Sequence, residues 1–115
     1  NTDGVGVIST ITINNSLTTA WRMIVRVFGA APMASYQSFS EHCIMKPLNS
    51  TIATEMFKIG NEDVTNIKSA NITFASGSVI VNQVAAVANN GQVVWNVSID
   101  YVLFVGTVGT YPILS

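Results

Sequence analysis

The chain has 115 residues, enough for one domain to bury a core without staples, and residues 1–115 are expected to form a single β-sandwich domain. Only 10% of them are charged and the formal net charge is −1, so the clustered cations that neutralise phosphates are missing and direct nucleic-acid binding by this segment is excluded. A lone Cys43 leaves no intrachain disulfide or thiol-rich metal site, and no run approaches the length of a membrane span. Nearly half of the chain is apolar and the polar remainder is mostly Ser, Thr and Asn, a balance suited to a β-protein surface or to one partly buried in an assembly.

Taken in order, Val5, Val7, Ile11 and Ile13 alternate with Gly6, Thr10 and Thr12 and predict a first strand. Asn14 to Thr19 is turn-like. Trp21, Met23, Val25 and Val27 then alternate with Arg22, Ile24, Arg26 and Phe28, giving a second strand with both arginines outward, paired antiparallel with the first. Pro32 ends it, since proline cannot donate to a ladder and restricts Ala31 before it. In Ser35 to Lys46, Phe39, Cys43 and Met45 share one parity with Glu41 among them, which predicts a bulge or bend. Ile52 to Ile59 reads as a strand with Ala53, Phe57 and Ile59 against Thr54 and Lys58, although Ile52, Met56 and Ile59 also fit a short helix. Gly60 to Asp63 is a loop or a helix start, and Val64 to Lys68 one helical turn or a short strand. Asn71 to Phe74 is a strand and Ala75-Ser76-Gly77 a turn. Ser78 to Ala88 is expected to bulge at Asn82-Gln83 and to form a hairpin across Asn89-Asn90-Gly91, a favoured tight-turn sequence.

The strand after that turn has the strongest pattern. Val93, Trp95, Val97, Ile99, Tyr101, Leu103 and Val105 fall at every second residue, with Gln92, Asn96, Ser98 and Asp100 between them. Beyond Asp100 both faces become apolar, because Val102 and Phe104 join Leu103. The far end is thus expected to be covered on two sides by another sheet, a subunit or a partner. Gly106, Gly109 and Pro112 loosen the tail, where Tyr111, Ile113 and Leu114 can still dock. Seven to eight short strands separated by turn signals make an all-β, antiparallel sandwich, jelly-roll-like in architecture.

Chemistry is sparse. His42 is the only histidine, beside Glu41 and Cys43, but adjacent strand residues point to opposite faces, and a nucleophile–base pair needs a third group to orient it. His42 therefore reads as a partly buried structural residue, and the chain as no enzyme. No zinc-ligand spacing occurs, and no carboxylate pair is recognisable as a glycosidase couple. Asn61, Glu62 and Asp63 could contribute to a calcium loop but read better as a turn, so no cofactor or metal is expected. Four Asn-X-Ser/Thr sequons, at Asn14, Asn49, Asn71 and Asn96, are only about twice what chance supplies in this composition. Trp21, Trp95 and Tyr101 lie on the apolar parity of their strands and read as core, leaving Tyr36, Phe39 and Tyr111 as better candidates for exposed contact.

The run from Gly91 to Phe104, GQVVWNVSIDYVLF, resembles the closing strand of β-sandwich coat-protein domains from small icosahedral RNA viruses. The low charge and the Ser/Thr/Asn/Val-rich composition are similar too, whereas the basic RNA-binding arm of such coats is missing and the chain is short for a full shell domain. The resemblance implies a protruding or C-terminal domain of a coat protein, in a virion or other extracellular shell, acting through contacts with copies of itself. Val102, Phe104 and Tyr111 are the interface candidates. The rival expectation is an adhesin- or lectin-like module that binds a host receptor or glycan with loops at one end of the sandwich.

Overall fold

The computed structural model describes residues 6–31, 35–83 and 93–104. These form seven strands and no helix: β1 (Gly6–Thr12), β2 (Ala20–Ala31), β3 (Tyr36–Lys46), β4 (Thr54–Asn61), β5 (Ala70–Ala75), β6 (Ser78–Gln83) and β7 (Val94–Phe104). They make two antiparallel sheets, one ordered β1-β6-β5 and the other β4-β3-β2-β7, packed into a sandwich. The order β7-β2-β3-β4 is that of a Greek key: three strands in sequence, then a fourth that returns beside the first after the chain has visited the other sheet.

The strongest alternation sits at the centre. β2 pairs with β3 from Trp21↔Lys46 to Ala31↔Tyr36 and with β7 from Ala20↔Phe104 to Ala30↔Val94, with no break in either register. Trp21, Met23, Val25 and Val27 all point inward, at no more than 2% exposure, while Arg22 and Arg26 point outward as their parity requires. Ile44, Ala53, Ala70, Ile72, Val79 and Val81 complete the main core, with Ile8, Ile11, Ile13, Trp95 and Val97 packed against it. Ala31, Ile67 and Val93 form a smaller cluster, also under Trp95. Gly29 is fixed by that indole, because a Cβ there would lie 2.6 Å from the Trp95 ring.

Two expected pairings are corrected. β1 pairs with β6, not with β2, and β6 lies in the opposite sheet from β7. The first reversal has a local cause. Asn14 Oδ1 accepts from Ser16 N at 3.0 Å, and Trp21 Nε1 donates to Asn14 O at 2.7 Å. The buried indole thus anchors a broad corner that carries the chain across to the other sheet. Asn89-Asn90-Gly91 lies outside the described residues.

Three expectations of parity also change. A register shift between Val7 and Ser9 leaves Ile8 as the extra residue, turning Val7 outward and Ile8 toward the core. The β2–β3 register is unbroken, so β3 carries no bulge there. Instead Phe39, Cys43 and Met45 lie with Glu41 on the outer face, and Ser38, Ser40, His42, Ile44 and Lys46 face inward. The irregularity falls opposite, where Cys43 pairs with Phe57 and Ile44 with Glu55, so Met56 bulges from β4. That bulge sends Phe57 and Ile59 outward while Ala53 stays in the core. Asn82-Gln83 needs no bulge either: β5 and β6 pair evenly from Ala70↔Gln83 to Ala75↔Ser78, and Gln83 is a buried polar residue that accepts from Trp95 Nε1 at 3.0 Å. The predicted turn at Ser76-Gly77 is present, with Gly77 at φ 75°.

Candidate functional site

The outer face of the four-stranded sheet is built from cross-strand neighbours, which share a face. Successive rows read Asn61–Phe39–Phe28–Asn96, Ile59–Glu41–Arg26–Ser98, Phe57–Cys43–Ile24–Asp100 and Thr54–Met45–Arg22–Val102. Phe28, Met45, Phe57, Ile59 and Val102 on this face are exposed. One charge cluster interrupts it. Arg26 bonds Glu41 Oε1 through Nε at 3.2 Å and Asp100 Oδ2 through Nη1 at 2.8 Å, spanning three strands. The hydrogen bond to Asp100 is the main reason that its guanidinium pKa is raised. Being solvent-accessible, the cluster sets register more than it adds stability.

β7 is the outer strand of this sheet, and from Ser98 to Phe104 every residue is exposed. Val102 and Phe104 project from the outer face. Ile99, Tyr101 and Leu103 project from the inner one, beyond the cover of the three-stranded sheet. Tyr101 is therefore not the core aromatic its parity suggests. It is exposed, and its ring lies 5.8 Å from that of the fully buried Trp21. Beside it a cleft of about 240 Å³ opens between β1 and β7, lined mainly by Ile11, Ile13, Met23, Ile99 and Tyr101. Tyr111 lies outside the described residues.

The inner face of β3 places His42 with two partners that its sequence neighbours Glu41 and Cys43 do not indicate. Ser40 Oγ lies 2.9 Å from His42 Nε2, and His42 Nδ1 lies 2.7 Å from Glu55 Oε2. Ser40 and His42 meet because residues two apart on a strand share a face. Glu55 joins them only through the Met56 bulge, which shifts it onto the inner parity. The order serine, imidazole, carboxylate is that of a hydrolytic relay. Here Ser40 and His42 are 1% and 0% exposed, which leaves a substrate no approach to the hydroxyl, so the three groups serve to satisfy one another.

Lys46 ends the same row, fully buried. Its Nζ donates to the backbone carbonyls of Thr19, of Pro47 at 2.9 Å and of Ser50 at 2.8 Å. Burial pushes its pKa below the usual lysine value. The carbonyls replace the water that the ammonium gives up. Among the described residues no buried side-chain nitrogen or oxygen is left without a partner.

The acidic loop after β4 is a turn. Asp63 O accepts from the N–H groups of Ile67 and Lys68, each at 2.9 Å, and Asp63 Oδ1 accepts from those of Thr65 and Asn66. The N–H of Asn66 is the largest cause, ahead of its side-chain amide and Thr65, of a carboxyl held below the usual range. Glu62 bonds Lys58 Nζ at 2.8 Å and Ala70 N at 3.0 Å. The sequon residues Asn14, Asn49, Asn71 and Asn96 are all exposed, Asn96 next to Phe28 on the outer face. Of the other aromatics, Tyr36 is exposed and Phe39 half-buried.

No protein-family model matches the chain, and neither a curated protein nor a solved structure matches it. No helix among the described residues is long and apolar enough to cross a membrane.

Proposed function

We propose that this is a structural domain that works by self-association, a β-sandwich unit of a virion coat or similar extracellular shell. The observation that carries the reading is the far half of β7, where Ile99, Tyr101, Val102, Leu103 and Phe104 expose apolar side chains on both faces of one strand. A strand apolar on both faces belongs to a sheet covered on both sides. Contiguous exposed apolar surface of this kind marks an interaction site in a soluble protein. The low charge of the whole chain agrees, since little of its surface is built to stay apart from copies of itself.

Sedimentation velocity over a wide concentration range tests the reading. The wild type is expected to associate, and the double variant Val102→Ser/Phe104→Ser to associate at least tenfold more weakly while its circular dichroism stays that of a β-protein. A wild type that remains monomeric at its solubility limit overturns the proposal. If that monomer also bound a glycan array, the adhesin- or lectin-like alternative would take its place.

A further inference from the structure

We infer that the contact between copies is made edge to edge, β7 pairing antiparallel with β7 of a second copy about a local two-fold axis, so that the four-stranded sheet continues across both molecules. This rests on the self-association reading above and specifies its geometry.

Among the described residues the sandwich has four open strand edges, β4 and β7 of one sheet and β1 and β5 of the other. Edges that must stay unpaired are blunted by shortness, bulges or charge. Three of these are. β4 is broken by the Met56 bulge, carries Lys58, and contains Gly60 at φ 149°, where a Cβ would lie 2.2 Å from Phe39 O. β1 is interrupted at Ile8, and β5 has only 6 residues. β7 has none of these protections. It is 11 residues long, its pairing with β2 is regular throughout, and nothing pairs with its other edge among the described residues. Its single charge, Asp100, is already engaged by Arg26.

The occupant follows from the same comparison. A head-to-tail contact would set β7 against a β4 edge whose bulge spoils the ladder, whereas β7 matches itself. In an antiparallel pair about a two-fold at Ser98, apolar residues on each face meet apolar residues: Ile99 opposite Val97 and Tyr101 opposite Trp95 on one side, Val102 opposite Val94 on the other. Asp100 then stands opposite Asn96 of the second copy and stays paired with its own Arg26, so no like charges meet across the seam. The area fits a contact that is real but modest. With these five side chains 41–47% exposed, and on the order of 150–250 Å² for a large aromatic, they offer on the order of 400 Å² per copy. That is about half of the roughly 800 Å² per partner of a standard interface. The strand ladder supplies the remainder of the contact, and the dimer should be concentration-dependent.

Pairwise disulfide mapping on the full chain tests the geometry. Single variants Val94→Cys, Asn96→Cys, Ser98→Cys, Val102→Cys and Phe104→Cys are mixed in pairs and oxidised under native conditions. Buried Cys43 is left in place as an internal control that should stay reduced. Antiparallel pairing about a two-fold requires that all efficiently cross-linked pairs share one sum of residue numbers, as Ser98 with Ser98 and Val94 with Val102 do. The cross-links should be lost when Val102→Ser/Phe104→Ser is introduced into the Ser98→Cys and Val94→Cys chains. Cross-links scattered over several sums, or none in a wild type that does sediment as an oligomer, overturn edge pairing and leave self-association standing. A monomeric wild type overturns both.

Discussion

β2 and β3 are neighbours in one sheet and look into the same interior, yet their inward rows differ in kind. β2 presents Trp21, Met23, Val25 and Val27, which need little beyond shape to fit, the one polar atom among them being the Trp21 indole nitrogen that donates to Asn14 O. β3 presents Ser38, Ser40, His42, Ile44 and Lys46, each polar member of which must be met by a partner. Ser40 is met by His42 of the same strand, and the other partners come from outside it: the N–H of Asp63 donates to Ser38 Oγ at 3.0 Å, Glu55 bonds His42, and three loop carbonyls hold Lys46. The inward row of β2 is held mainly by packing, whereas that of β3 is held by connections that tie particular turns and loops to the sheet. The first kind tolerates conservative exchange in proportion to volume. The second fails group by group, because a stranded buried polar atom costs more than the lost bond contributed.

Substitutions on the two rows separate these behaviours. The largest effect is expected from Trp21→Ala, which removes the main side chain of the dry row and the indole donor to Asn14 O, costing about 3–5 kcal/mol as a large-to-small core change. Urea denaturation measures it, and a loss under about 1 kcal/mol would mean that the core collapses around the site or does not depend on it. Next comes His42→Leu, expected to cost about 1–3 kcal/mol by stranding a buried Ser40 hydroxyl. Adding Ser40→Ala should return part of that loss, since no buried hydroxyl then remains. A double variant whose losses simply add would show that the pair does not act as a unit.

The smallest effect concerns Asp63, whose turn reaches β3 through Ser38. Its folded pKa lies below the unfolded value, so its contribution is present above the unfolded value and is lost as pH falls through the folded one. Asp63→Asn should therefore lower stability modestly near neutral pH, leave it close to the wild type in acid, and so flatten the acid limb of the stability–pH curve. An acid limb identical to that of the wild type would remove Asp63 from the account.

The legibility of the chain follows the same division. β2 and the near half of β7 were readable because their alternation is apolar against polar, and the sandwich class came from them together with the turn spacing. β3 was misread because its inward residues are polar and its outward ones, Phe39, Cys43 and Met45, are apolar, so hydrophobic periodicity points to the wrong face. Phe57 and Ile59 were misassigned for a different reason: a bulge changes parity without a sequence marker. The Ser40–His42–Glu55 group left one usable signal, the i, i+2 spacing of serine and histidine, but its third member depends on that bulge. Strand partners were beyond reach wherever the chain changes sheets, since a corner such as Asn14–Thr19 looks in sequence like any polar turn. The loss of alternation after Asp100 was readable, and in the structure Val102 and Phe104 are exposed on the outer face.

Lys46 gives the fold an internal reporter. Its amine is enclosed and occupied by three carbonyls, whereas the amine of Lys58 sits on a side chain that is 35% exposed and bridged to Glu62. An amine-reactive reagent applied to the native protein should thus acylate Lys58 readily and reach Lys46 only in molecules whose loops have left the end of β3. Mass spectrometry of the peptide around Lys46 would then read opening frequency directly, a clock that runs on local unfolding events and needs neither denaturant nor an attached dye.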